Sequence, residues 1–223
     1  MRKILILGCG VLAVAVIVGG LYQTLPQRAD AQQRPAGTPS PATTGVPAEL
    51  QVTAADHALG SADAPVTIVE YASMTCGHCA SFHVTTLPDL KKKYVDTGKV
   101  RFVYRDFPLD GVALQAAQIA ECAGKDRYFG VLDLVFQTQA QWTAGKDPIA
   151  DLGKSLRIAG ISDADIKACL ADEKVANAVV EERKVAAEKL KVNSTPTLFI
   201  NGERFSGPRT IEAFDEALAK LLK

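Results

Sequence analysis

Apolar and polar positions divide this chain into contrasting stretches. Residues 4–21 are apolar without a charge, residues 23–57 are rich in Pro, Ala, Gln, Thr and Gly, and patterned segments follow. Residues 65–71 form a short β-branched run between turn signals, which predicts a buried strand. Over 80–94 the spacing of Phe82, Leu87, Leu90 and Tyr94 predicts a helix, with Pro88 predicting a kink or a break. Residues 100–105 read as a second strand. From 111 to 191 the pattern turns helical, with Ser162 as an N-cap and a long charged helix over 174–190. Strand character returns at 197–200, Asn201-Gly202 signals a two-residue hairpin, and residues 210–222 close as an amphipathic helix. Strand, helix, strand is a βαβ unit, so its strands should pair in parallel. The fold class is α/β, a sheet interrupted by an all-helical insertion over about 111–191.

Arg2 and Lys3 precede the apolar run, so residues 1–22 read as a signal peptide or a membrane anchor. Ala29-Asp30-Ala31 has the small-x-small form of a cleavage site. Its distance from the apolar run instead favours retention through residues 4–21. Cys9 sits inside that run as filler. Residues 23–57 are expected to be a flexible linker that cannot bury enough surface to offset its ordering entropy. The folded domain is then 58–223. With 25 basic and 25 acidic side chains, charge points to no nucleic-acid partner. Export implies an oxidising compartment, a bacterial periplasm, with membrane contact only through the N-terminal segment.

Against that background Cys76-Gly77-His78-Cys79 carries the chemistry. If Cys76 begins a helix, free backbone N–H groups and the dipole favour its thiolate, the form that attacks disulfides. Cys79, one turn on, is the less exposed resolving thiol, and His78 is placed to donate a hydrogen bond or charge to the Cys76 thiolate. Glu70, on an otherwise apolar strand, is costly unless paired and would suit a proton acceptor for Cys79; the alternative is a solvated edge residue. Cys122 and Cys169 remain, and in an oxidising compartment two leftover cysteines most simply pair, free buried thiols being the alternative.

Residues 68–71 before the Cys-Gly-His-Cys motif, the helical insertion, and the run from Ser194-Thr195-Pro196 to Gly202 resemble the DsbA-like thiol:disulfide oxidoreductases. The resemblance implies a thioredoxin fold with an inserted helical subdomain and a periplasmic role in disulfide formation. It matches Glu70 to a buried acid, makes Pro196 a cis-proline facing the cysteines, and gives the Thr195 backbone to a substrate chain added as a strand. The Cys122–Cys169 pair resembles a second disulfide of some members. Gly77 replaces the proline common in the family, which bears on oxidising strength.

The expected function is thus oxidation of reduced exported proteins by a monomer that a membrane redox partner resets, with no cofactor and no metal. An isomerase or reductase is the variant within the same chemistry. Met74-Thr75-Cys76-Gly77-His78-Cys79 also matches Cu(I)-carrying loops, although those domains are shorter and lack the insertion. A zinc site has no second Cys pair, His83 notwithstanding. Ala80 after Cys79 excludes c-type haem attachment. His83 is expected on the helix surface, with a place lining the active-site groove as the alternative, His57 solvated near the linker, Trp142 in the core, and residues 181–184 on a solvated helix face.

Overall fold

A computed structural model describes residues 45–223; the apolar N-terminal run, Cys9 and residues 23–44 of the expected linker lie outside the described residues. Five strands form one mixed sheet in the order β1–β3–β2–β4–β5: β1 His57–Leu59, β2 Val66–Ala72, β3 Val100–Asp106, β4 Thr197–Ile200 and β5 Glu203–Phe205. β2 and β3 pair in parallel, Glu70 opposite Tyr104, as the βαβ pattern requires. β4 runs antiparallel to β2, and the β4–β5 turn uses Asn201 and Gly202 at φ 48° and 89°, left-handed values that Asn and Gly tolerate.

Alternation along the strands separates two cores. Val66, Ile68, Ala72, Phe102, Tyr104 and Leu198 join one cluster with Phe82, Phe136, Trp142 and Phe214, so Trp142 is core as expected. Val69, Tyr71, Val103 and Phe199 face the other way, toward Leu50 and Ala186. Glu70, at 0% exposure, lies in β2 between neighbours of the second set.

The helix after β2 is continuous from Gly77 to Val95: α1 (Gly77–Ser81), a π turn over Phe82–Thr86, α2 (Leu87–Leu90) and a π turn over Lys91–Val95. Pro88 therefore neither breaks nor ends it. The wide turn before α2 sends the Leu87 N–H to the Phe82 carbonyl, which relaxes the backbone where proline cannot donate. The insertion comprises α3 (Gly111–Cys122), α4 (Lys125–Gln137), α5 (Gln139–Thr143), α6 (Pro148–Leu156), α7 (Asp163–Leu170) and α8 (Glu173–Lys189); α9 (Ile211–Ala219) closes the chain. Asp110, Asp147 and Asp172 cap α3, α6 and α8, and Ser162 forms a reciprocal capping box with Asp165 on α7.

The ordered domain begins before residue 58, contrary to the linker boundary read from composition. Arg105, 6% exposed, donates to both carboxylate oxygens of Asp56 (2.6 and 3.1 Å), to the Gln51 carbonyl at 3.1 Å, to the Glu49 carbonyl and to the Tyr71 hydroxyl at 2.8 Å. Those bonds bring Leu50 down to 2% exposure against the sheet. One buried guanidinium with five donors satisfies a polar segment that apolar counting reads as loose. His57 is likewise buried rather than solvated: its Nε2 lies 2.9 Å from a Glu121 carboxylate oxygen and its ring stacks on Tyr128 at 3.5 Å. The 181–184 run is also only partly solvated. Glu181 and Lys184 form an exposed pair, whereas Glu182 accepts the Asp106 N–H at 3.2 Å and Arg183 donates to the Pro108 carbonyl at 2.8 Å. Glu182 reaches the last residue of β3 and Arg183 the segment just after it, because α8 packs against that strand.

Candidate active site

Cys76 occupies the N-cap of α1 with extended backbone (φ −80°, ψ 117°), which turns the N–H groups of the first turn toward its own sulfur. Its thiol is depressed to about 5. The largest cause is a hydrogen bond from the Cys79 thiol, opposed by burial and supported by Thr195 and by the backbone N–H groups of Cys79 and His78. Cys79 is fully buried, and burial carries its thiol far above the ordinary range, with the Cys76 and Glu70 charges pushing the same way. Two cysteines a turn apart thus have opposite chemistry: one thiolate at neutral pH, one tightly held thiol.

His78 contributes to Cys76 through its backbone N–H; its imidazole is exposed, makes no hydrogen bond to either sulfur and lines the neighbouring groove. The expectation of an imidazole donor is corrected accordingly. A side chain at the second position of a helix projects outward, whereas the peptide N–H at that position points back at the N-cap.

The Thr195–Pro196 peptide is cis, and Cys76 Sγ lies 3.3 Å from the Thr195 carbonyl, to which it can donate only in its protonated form. A groove of about 350 Å³ runs beside the sulfur, lined by His78, Ser81, Phe82, Ser194, Thr195, Pro196 and Arg209. Arg209 donates to the Pro196 carbonyl at 2.9 Å, and Thr86 to the Arg209 carbonyl at 2.7 Å, which ties the cis-proline loop to the active-site helix.

The loop before Cys76 is fastened to the insertion. Gln139 on α5 donates to the carbonyls of Met74 (2.8 Å) and Cys76 (3.0 Å), and Thr75 donates to Asp110 at 2.7 Å. Neither Gln139 nor Asp110 stands out in the sequence as a site residue, because their partners are backbone and a cap.

Glu70 is buried on β2 with Oε2 2.7 Å from His83 Nε2, and its charge is among the causes that raise the Cys79 thiol. The paired-carboxylate reading is the one observed. His83 departs from its expected surface position: it is 5% exposed, stacked on Phe136 at 4.2 Å, because the π turn rotates it toward the sheet. Cys122 and Cys169 are neighbours on α3 and α7 and stand as free thiols, Cys122 pushed up to about 12 by burial and by Cys169. Among the described residues no cluster of three or more His, Cys, Asp or Glu is placed to hold a metal ion.

A family model described as Thioredoxin matches residues 52–220. A Rickettsia bellii protein named as a protein-disulfide oxidoreductase is 32% identical over 73% of the chain, and the chain spans 64% of that curated relative's length. A Bacillus cereus protein named as disulfide bond formation protein D is 27% identical over 78% of the chain and 82% of its own length. Among solved structures, alpha-DsbA1 of Wolbachia pipientis superposes with a TM-score of 0.72 at 30% identity, over 78% of this chain and 94% of that one.

Proposed function

The chain belongs to the thioredoxin family, in its DsbA-like branch, and from that premise we propose that it is a protein-disulfide oxidoreductase that introduces disulfides into exported proteins. The observation carrying this reading is the opposed pair of thiols. Stabilising the Cys76 thiolate favours the reduced pair, which makes the Cys76–Cys79 bridge a good electron acceptor. A substrate thiolate attacks the Cys76 sulfur, a substrate–Cys76 bond forms, and Cys79 leaves and takes up a proton. A second substrate thiolate then attacks the substrate sulfur of that mixed disulfide. Cys76 leaves as a thiolate, and two electrons have passed from the substrate to the enzyme.

The groove and the Thr195 backbone give an extended substrate chain its seat beside Cys76. Glu70 accepts or returns the Cys79 proton. Cys122 and Cys169, neighbouring free thiols in this structure, would close a structural bridge on oxidation in the periplasm. A membrane partner withdraws the electrons, and residues 4–21 keep the monomer at the membrane where they are retained. A copper carrier fits less well, since gripping Cu(I) needs two thiolates and burial holds Cys79 in its thiol form.

The test is catalysed oxidation of a reduced, unfolded secreted protein in glutathione buffer, followed by recovery of that protein's activity. The wild-type chain accelerates recovery and Cys76→Ala does not. Equal rates with both would remove the assignment. Acceleration only with a substrate already carrying wrong disulfides would favour an isomerase.

A further inference from the structure

Glu70 and His83 form a pair that the exchange of sulfur bonds alone does not require. Both side chains are at or below 1% exposure, 2.7 Å apart. A carboxylate offers two oxygens and an imidazole two nitrogens, and here only one of each is used. Glu70 Oε1 and His83 Nδ1 are buried without a hydrogen-bond partner. An unpaired buried polar atom is costly, so two in one pair call for a reason. The neighbours supply one. The Glu70 charge acts on the Cys79 thiol, and Cys79 must gain or lose a proton each time its sulfur bond breaks or forms.

We propose that Glu70 and His83 work as one proton-holding unit for Cys79, with His83 the positioning residue that gives the unit its second seat. This rests on the oxidoreductase reading above. With Nε2–H donating to Oε2, the unit lacking a proton is a carboxylate beside a neutral imidazole. One added proton sits at Oε1, giving a carboxylic acid, or at Nδ1, giving an imidazolium–carboxylate pair. In the resolving direction, the Cys79 proton passes to the unit, whose open seats are Oε1 and Nδ1, and the thiolate attacks the Cys76 sulfur of a mixed disulfide. The Cys76–Cys79 bond forms and the departing thiolate carries off the electron pair of the broken bond. In the oxidising direction the same proton returns to Cys79 as it leaves Cys76.

The surroundings keep that proton between few groups. His83 is held by Phe136 from α4 at 4.2 Å and by Phe102 and Tyr104 from β3 at 6.4 and 5.7 Å. The titratable groups facing the unit are Cys79 from α1, Tyr104 from β3 and, on α4, Asp133, whose carboxylate feels the His83 charge. Tyr104 is held firmly as a phenol by burial. Asp133 is exposed on α4. None of these replaces a base beside Cys79.

The experiment uses an aromatic disulfide reagent that releases a coloured aryl thiolate. The Cys76 thiolate releases one equivalent and leaves an aryl mixed disulfide on Cys76; Cys79 then releases the second. The second release reads Cys79 deprotonation directly, and Cys79→Ala, which lacks it, identifies that phase. In the wild type the second release is expected to change less than about threefold between pH 6 and 8, because the base is internal. His83→Gln keeps a donor for Oε2 but cannot hold a second proton, and His83→Phe keeps the stack on Phe136 without the bond. Both are expected to slow the second release about tenfold or more at pH 6 and to make it rise steeply with pH, leaving the first release unchanged. Glu70→Gln is expected to be slow alone, and Glu70→Gln/His83→Gln no slower than Glu70→Gln, as for groups acting as a unit.

Second-release profiles of His83→Gln and His83→Phe that superimpose on the wild type would overturn the proposal, as would a double variant slowed by the product of the singles. Absence of the first release from the wild type at pH 6 would overturn the oxidoreductase reading itself.

Discussion

Protonating Cys76 should cost the reduced protein stability in a defined window. Its thiol falls from an ordinary 9.0 to about 5 in the folded chain. A depressed acid contributes stability that is fully present above the unfolded value, declines from pH 9 to 5, and is gone below 5. Each unit is worth about 1.36 kcal/mol, so the two units between pH 7 and 5 correspond to about 2.7 kcal/mol at most. The sulfur is partly exposed, and screening cuts this to about 1–1.5 kcal/mol. Expressed as a two-electron potential, that is about 20–30 mV of oxidising power drawn from the thiolate alone. The assay is urea unfolding of the reduced protein from pH 4 to 8 beside Cys76→Ser, whose hydroxyl does not titrate there. The wild-type advantage should shrink by about 1–1.5 kcal/mol from pH 7 to 5 and flatten below. A difference that stays constant, or grows as pH falls, would refute the thiolate argument. Titration of thiolate absorbance in the same samples should place the midpoint near 5.

Other consequences reach beyond the cysteines. Burial lifts Glu182 to about 7, so its ionisation opposes folding as pH rises from 4.5 to 7; Glu182→Gln should equal or exceed the wild type at pH 8 by about 1 kcal/mol after screening, and urea midpoints at pH 5 and 8 check the sign. Arg105→Ala strands Asp56 and frees the segment around Leu50, so it should lose about 3 kcal/mol and expose that segment to protease cleavage, read by limited proteolysis and unfolding. Gln139→Ala removes both donors holding the Met74 and Cys76 carbonyls, and should cost about 1–2 kcal/mol in a urea titration and raise the Cys76 thiol toward its ordinary range.

What the sequence made legible was local or strongly patterned. Cys76 and Cys79 announce themselves because a three-residue spacing on a helix start has few other uses, and Asn201-Gly202 because left-handed turn residues are few. The parallel pairing of β2 and β3 followed from the helix between them. What stayed hidden depends on contacts between distant residues. His83 faces inward only because a π turn shifts its phase, a change that simple helical periodicity does not register. Arg105 holds a polar segment 49 residues away from it, so composition described as linker a stretch that one buried charge orders. His78 was read by residue type, whereas its contribution to Cys76 comes from the peptide N–H that any residue would supply.

The central claim is that Cys76 and Cys79 form an oxidising couple, and equilibration of the purified domain against glutathione buffers measures it directly. A reduction potential near about −120 to −180 mV is the result expected from a stabilised Cys76 thiolate. A value near about −270 mV would place the couple with reductants and contradict the account.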